Sequence, residues 1–301
     1  MAAILRGVRV AFLGLGLIGG SLARALRDRG SAGLGDRVRT AAWTPTGVGP
    51  QAARRDGVLD EAAATPEAAL AGADLVVLAG PVPACLAMLD ELAGPWRTAL
   101  AADSVITDVA STKSALVLRA TALGLRFVGG HPMAGRDASG YGAATGDLFV
   151  DRPWVVVPGA DEPAVQRVES LARAVGARPV RLSASAHDDA VAGISHLPLV
   201  VAAALVEAVA GSLAAPRVGW SEARSLAAGG WRDTTRLARG DVTMGAGILV
   251  TNGAPVAARI RELVATLTSW ADELERPGGP DPDTVARRLG AARSTLEAPE
   301  P

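Results

Sequence analysis

The chain has 301 residues, 49% of them hydrophobic, with 30 basic and 31 acidic side chains and a formal net charge of -1. So even a balance gives no long-range field to draw nucleic acid or an anionic membrane, and the length suits two domains that each bury a core. The single cysteine, Cys85, excludes an internal disulfide framework, fits a reducing cytosol and reads as a small buried residue at a helix start. Lys113 is the only lysine among the 30 basic residues and Asn252 the only asparagine. A position that keeps such a residue against the compositional trend can need a group that arginine does not replace.

The opening residues show no charged segment followed by a long apolar one, so no signal peptide is expected. The apolar run Val8 to Leu13 then predicts a strand. It stops at Gly14, and Gly14, Gly16 and Gly19 stand in G-x-G-x-x-G spacing at the head of a helical pattern from Leu17 to Leu26. Strand, tight turn and helix in this order predict a dinucleotide site for NADP or NAD. Gly14 makes the turn, Gly16 lets the backbone approach a pyrophosphate and Gly19 lets helix and strand pack closely. Leu17 and Ile18, between the glycines, belong to the same site, and the helix N-terminus favours the anion.

Gly30 to Gly35 reads as a loop and Val38 to Trp43 as the second strand. Where an acid would hold the ribose 2′-hydroxyl of NAD there is Thr44, with Thr46 and the cations Arg54 and Arg55 following, which predicts a preference for NADP. Asp74 to Ala79 has the continuous apolar texture of a doubly covered parallel strand. Ala84 to Leu92 reads as a helix and Val105 to Val109 as a strand. Arg126 to Gly129 is a strand running into a loop that carries His131. Trp154 to Val157 and Pro179 to Leu182 complete the strands, with a helix from Ala164 to Val175 between them. The fold class is therefore α/β: an N-terminal Rossmann-type parallel-sheet domain over residues 1–182, followed by an all-helical domain over residues 183–301.

Helical periodicity dominates that second domain. The run Val200 to Ala210 is too short to span a bilayer and carries Glu207, so no membrane segment is expected and the protein reads as cytoplasmic. Helices such as Leu197 to Val209 and Ile260 to Trp270 carry more apolar positions than one intramolecular face requires, which predicts a homodimer.

Chemistry-bearing residues gather in four clusters. T-D-V-A-S-T-K, from Thr107 to Lys113, follows a strand and so lies at the sheet's carboxyl edge, where ligands of open α/β sheets bind. Asp108 is expected at the cofactor, and Ser111 and Lys113 are expected to face one space with His131. In the helical domain stand H-D-D from His187 with G-I-S-H-L-P up to Pro198, and G-G-W-R-D-T-T-R from Gly229 to Arg236. His187 reads as a structural hydrogen-bonder. His196 is a candidate for packing or for substrate contact, and Asp233 and Arg236 can form an i, i+3 pair. No Cys/His cluster has metal-ligand spacing, so no metal is expected.

G-L-G-L-I-G-G-S, D-V-A-S-T-K, G-G-H-P-M-A-G, H-D, S-H-L-P and G-W-R-D-T-T-R occur in that order, and over nearly the whole chain they resemble the prephenate/arogenate dehydrogenases of tyrosine biosynthesis. The resemblance implies NAD(P)-dependent oxidative decarboxylation of a cyclohexadienol, with hydride leaving ring C4 and CO2 leaving C1. His131 would accept or orient the 4-hydroxyl proton, Ser111 would hydrogen-bond the same hydroxyl and Arg236 would hold a substrate carboxylate, with Lys113, His196, Arg136, Leu199 and Asp233 around the substrate. Leu199 stands where prephenate users have a second histidine, Gly245 near where a tryptophan is often found, and Arg136 where some members have threonine. The loss of a donor at Leu199 predicts that arogenate is used at least as well as prephenate. The chain ends too soon after the helical domain for an appended regulatory domain to be expected. Two rival readings remain: a β-hydroxyacid or imine reductase, which would need a catalytic lysine or acid on the helical domain, and a nucleotide-binding protein without turnover.

Overall fold

The computed structural model describes residues 7–29 and 38–298, so the expected loop from Gly30 to Gly35 and the first six residues lie outside the described residues. In chain order the elements are β1 (Arg9–Leu13), α1 (Leu17–Arg29), β2 (Arg39–Trp43), α2 (Val48–Arg55), β3 (Glu61–Ala62), α3 (Pro66–Leu70), β4 (Leu75–Leu78), α4 (Val82–Ala93), β5 (Val105–Asp108), α5 (Ser114–Ala122), β6 (Phe127–Pro132), β7 (Pro153–Val157), α6 (Glu162–Ala174) and β8 (Arg178–Arg181). There follow α7 (Ala184–Val191), α8 (Leu197–Ala210), α9 (Trp220–Ser225), α10 (Gly229–Thr234), α11 (Val242–Thr251), α12 (Gly253–Leu274) and α13 (Pro282–Glu297).

The strands form one eight-stranded sheet in the order β3-β2-β1-β4-β5-β6-β7-β8. From β3 to β6 every pairing is parallel, which places the carboxyl ends of β1, β4, β5 and β6 on one edge. Alternation along β1 explains its unbroken apolar run. Val10 and Phe12 enter the core on one face, with Leu22, Phe149 and Trp154, while Ala11 and Leu13 enter the core on the other, with Leu78, Leu89 and Leu116. Cys85 lies in the second core, where burial pushes its thiol up to about 12 and leaves it inert.

Beyond β6 the sheet departs from the expected pattern. β7 runs antiparallel to β6, pairing His131 with Val155 and Pro132 with Trp154, and β8 then runs parallel to β7. His131 is therefore a residue of strand β6 and not of the loop expected for it. Pairing with β7 carries the strand through the two glycines that read as a turn. Two helices absent from the periodicity reading also form. α5 begins directly after Lys113, and α11 is the sequence V-T-M-G-A-G-I-L-V-T, whose glycines and branched residues mask a helical pattern but whose N-cap Asp241 accepts the Met244 N–H at 2.8 Å.

α7 and α8 join through a π-helical turn, Ala192–His196, into one continuous helix from Ala184 to Ala210. At 27 residues it is long and apolar enough to cross a bilayer by length and composition, so the shortness expected of the Val200 run does not hold. Its polar residues His187, Asp188 and His196 are instead buried in the protein.

The chain forms two compact units that meet at Gly253, and the boundary expected at residue 182 falls between β8 and α7 within the first. In the second unit Asp281 caps α13, and Arg288 stacks over Trp270 at 3.9 Å while donating to the Ser269 carbonyl.

Candidate active site

At the β1/β4 junction, where strand order reverses, Gly14 adopts φ +104° and a Cβ on it would lie 2.5 Å from the Ala79 carbonyl oxygen. A Cβ on Gly19 would lie 2.9 Å from the Gly14 carbonyl, so α1 packs hard on the turn. Gly16 between them faces open space within 4 Å, which leaves room for a pyrophosphate against its backbone. Leu17 and Ile18 pack on the core beside them. Thr44, just past β2, is half-buried, and its Oγ1 accepts the Gly47 N–H at 3.1 Å. Arg54 and Arg55 stand in the last turn of α2, roughly 9 Å along the helix from its start.

His131, near the carboxyl end of β6, is the centre of a second cluster. Its Nδ1 meets His187 Nε2 at 2.8 Å, and His187 Nδ1 meets Asp188 Oδ1 at 2.8 Å. Asp188 also accepts the backbone N–H groups of Lys113 and Ser114, each at 2.8 Å, and so caps α5. Burial alone would raise the Asp188 pKa, but the hydrogen bonds from His187, Ser114 and Lys113 outweigh it and hold it at about 2. Burial, and then the charge of Lys113, push His131 well below the ordinary histidine value, so its ring is neutral at pH 7.

Asp108 is expected at the cofactor and Lys113 at the substrate. Both are fully buried and form an ion pair with each other, while Asp108 also accepts the N–H groups of Ala110 and Gly130, each at 3.0 Å. Each side chain thus finds a charged partner inside the protein. The charge of Lys113 acts on His131 through space. Ser111, on the same loop, is half-buried and without a hydrogen-bond partner among the described residues.

The helices supply the remaining candidates. His196 is sealed from solvent; its Nδ1 is 3.0 Å from Asn252 Nδ2, burial lowers its pKa to about 4, and its Nε2 has no partner among the described residues. Leu199 is half-buried, and a Cβ on Gly245 would touch its Cδ2 at 3.4 Å, so the two departures from the family pattern adjoin each other. Arg236 is paired at 2.6 Å with Asp137, not with Asp233, which is exposed on α10. Arg136 lies 3.7 Å from Asp147 and lines a cavity of about 400 Å³ with Met133, Leu148 and Arg152. Asp188 and Asn252 escaped the sequence reading as site residues; the rarity of asparagine in this chain was the one signal for the second.

A glycine turn at a strand-order switch, joined to a histidine held neutral on the same sheet edge, defines a dinucleotide-dependent oxidoreductase. The nucleotide-binding domain of prephenate dehydrogenases matches residues 22–181, and the dimerization domain of the same enzymes matches residues 183–285. The chain belongs to the prephenate dehydrogenase family. It is 34% identical over 270 residues to the prephenate dehydrogenase of Bacillus subtilis, spanning 87% of this chain and 67% of that one. Among solved structures, Synechocystis arogenate dehydrogenase matches with a TM-score of 0.76 at 29% identity, covering 96% of this chain and 100% of that one. Prephenate dehydrogenase from Aquifex aeolicus, solved with hydroxyphenyl propionate and NAD+, matches with a TM-score of 0.81 at 25% identity, covering 96% of this chain and 98% of that one.

Proposed function

We propose that this enzyme oxidatively decarboxylates prephenate, arogenate or both to form the aromatic ring of tyrosine. The observation that carries this reading is the placement of a neutral His131 on the carboxyl edge, two strands from the β1/β4 junction and so about 10 Å along the sheet from the dinucleotide crevice. The open space at Gly16 fits a dinucleotide there, and NAD(P), when bound, accepts the hydride from ring C4. The chain's residues do the rest. His131 takes the 4-hydroxyl proton as the ring loses CO2, Ser111 hydrogen-bonds the same oxygen, and Arg236 exchanges Asp137 for a substrate carboxylate. Formation of reduced cofactor from prephenate and from arogenate, with a β-hydroxyacid as control, tests the assignment. Turnover of the hydroxyacid alone would overturn it.

Three finer points accompany this reading. Thr44 stands where an acid would select NAD, which favours NADP; a kcat/KM with NAD at least about tenfold above that with NADP would contradict this preference. Leu199 offers no hydrogen bond to a keto side chain, which favours arogenate being used at least as well as prephenate. The enzyme works as a cytoplasmic homodimer. Only 22% of the most apolar window of the Ala184–Ala210 helix is buried, and Val209, Val242 and Val250 are exposed within the first unit, a surface suited to a second copy. A monomeric mass in solution would count against the dimer.

The rivals find less support. A β-hydroxyacid or imine reductase would need a catalytic lysine or acid on the helices, but the only lysine is buried beside the sheet against Asp108. A binding protein without turnover leaves His131 and Ser111 without a task.

A further inference from the structure

All three histidines of the chain, its only lysine and its only asparagine lie in one buried or half-buried polar cluster. They reach it from separate parts of the chain: Lys113 from the start of α5, His131 from β6, His187 from α7, His196 from the π-helical turn and Asn252 from the end of α11. Asn252 Nδ2 donates to the Asp188 carbonyl at 2.8 Å and lies 3.0 Å from His196 Nδ1, tying α11 to α7 and to the π-helical turn that carries His196. A chain that uses arginine for every other basic side chain keeps its exceptions here. The cluster needs the hydrogen-bonding patterns of these particular side chains.

Those patterns determine where the protons sit. Asp188 is a carboxylate and only accepts, so His187 Nδ1 carries a proton toward it. With that single proton on His187, its Nε2 is an acceptor, and the 2.8 Å contact is a hydrogen bond when His131 Nδ1 donates to it. The remaining His131 nitrogen, Nε2, is left bare. We propose that His187 and Asp188 are positioning residues that fix the tautomer of His131, so that Nε2 is the basic atom. This rests on the reading of His131 as the base. When the substrate O–H bond breaks, its proton joins Nε2, and the resulting imidazolium keeps its Nδ1–H donated to His187, with the Asp188 carboxylate behind. Lys113 and His196 are the other charged or titratable groups facing this chain of bonds, and Lys113 is ion-paired with Asp108.

Two variants and one spectroscopic readout test the proposal. In His187→Gln the Oε1 can still accept from His131 Nδ1; in His187→Leu nothing can. With only three histidines, the ring nitrogens are resolvable by nitrogen-15 NMR on the unliganded protein. The parent is expected to show His131 protonated at Nδ1 and bare at Nε2. The Gln variant should keep that state and retain kcat within about tenfold. The Leu variant should show Nε2 protonation and lose about 10²-fold in kcat with little change in KM. A parent protonated at His131 Nε2, or Gln and Leu variants alike in tautomer and kcat, would overturn the proposal. If the Leu variant does not fold, the parent spectrum still decides. The tautomer is read without substrate, so the expected spectrum in a protein inactive on both substrates would sink the reaction and spare the positioning. Normal turnover with a proton on Nε2 would do the reverse.

Discussion

His131 and Arg236 stand in opposite surroundings. Around His131 the chain supplies the contacts itself: the ring is braced by His187, Lys113 is paired with Asp108 in the core, and Asp188 ties the cluster to α5. The Arg236 side chain is 55% exposed and, among the described residues, it pairs with Asp137, itself 63% exposed; Arg136 and Asp147 form a looser pair of the same kind. Exposed ion pairs of this kind are worth about 0–1 kcal/mol, so under the proposed function a substrate carboxylate would displace Asp137 at little cost. On that proposal the difference separates two tasks: the proton acceptor is built before substrate arrives, and the anchors are left exchangeable.

The largest effect should come from breaking the built side. His131→Asn keeps size and some hydrogen bonding but removes the base, so kcat should fall about 10²- to 10⁴-fold with a modest KM change in steady-state assays. On the open side Arg236→Ala should chiefly raise KM, by about tenfold or more, because a carboxylate anchor serves ground and transition states alike. Its counterpart Asp137→Asn should lower KM slightly by freeing the guanidinium. If the effects of His131→Asn and Arg236→Ala are interchanged, the two sides have been misassigned. A smaller change is expected on helix α8. Leu199→His should move the ratio of kcat/KM values toward prephenate by about one to two decades, from the 1–3 kcal/mol that an unmet buried acceptor costs; an unmoved ratio removes Leu199 as a selector.

Local features of the fold were legible because they are written in short stretches. The glycine spacing from Gly14 to Gly19 and the apolar run Leu75–Leu78 declare a turn and a buried strand without help from distant residues. What remained hidden depends on contacts far along the chain. The strand character of His131 comes from pairing with Val155, and the fate of Lys113 from Asp108, five positions away but across a turn. An aspartate and a lysine at a sheet edge read equally well as ligands or as partners for each other, and only the packing, which leaves both with no solvent exposure, shows their pairing. Asp188 was invisible as a brace because its hydrogen bonds reach 75 positions back to Lys113. α11 was missed because two glycines dilute its pattern, although its end carries Asn252 into the cluster.

The central claim is that His131 works as a base kept neutral by burial and by Lys113. Its pKa lies below the ordinary 6.5, so lowering the pH should leave the base intact through 6.5 and disable it only further down. The pH dependence of kcat/KM, measured for the parent and for the residual activity of His131→Asn, tests this most directly. The account predicts an acid limb with its midpoint below 6.5 in the parent and no such limb in the variant. A midpoint at or above 6.5, or a limb that survives the substitution unchanged, would contradict it.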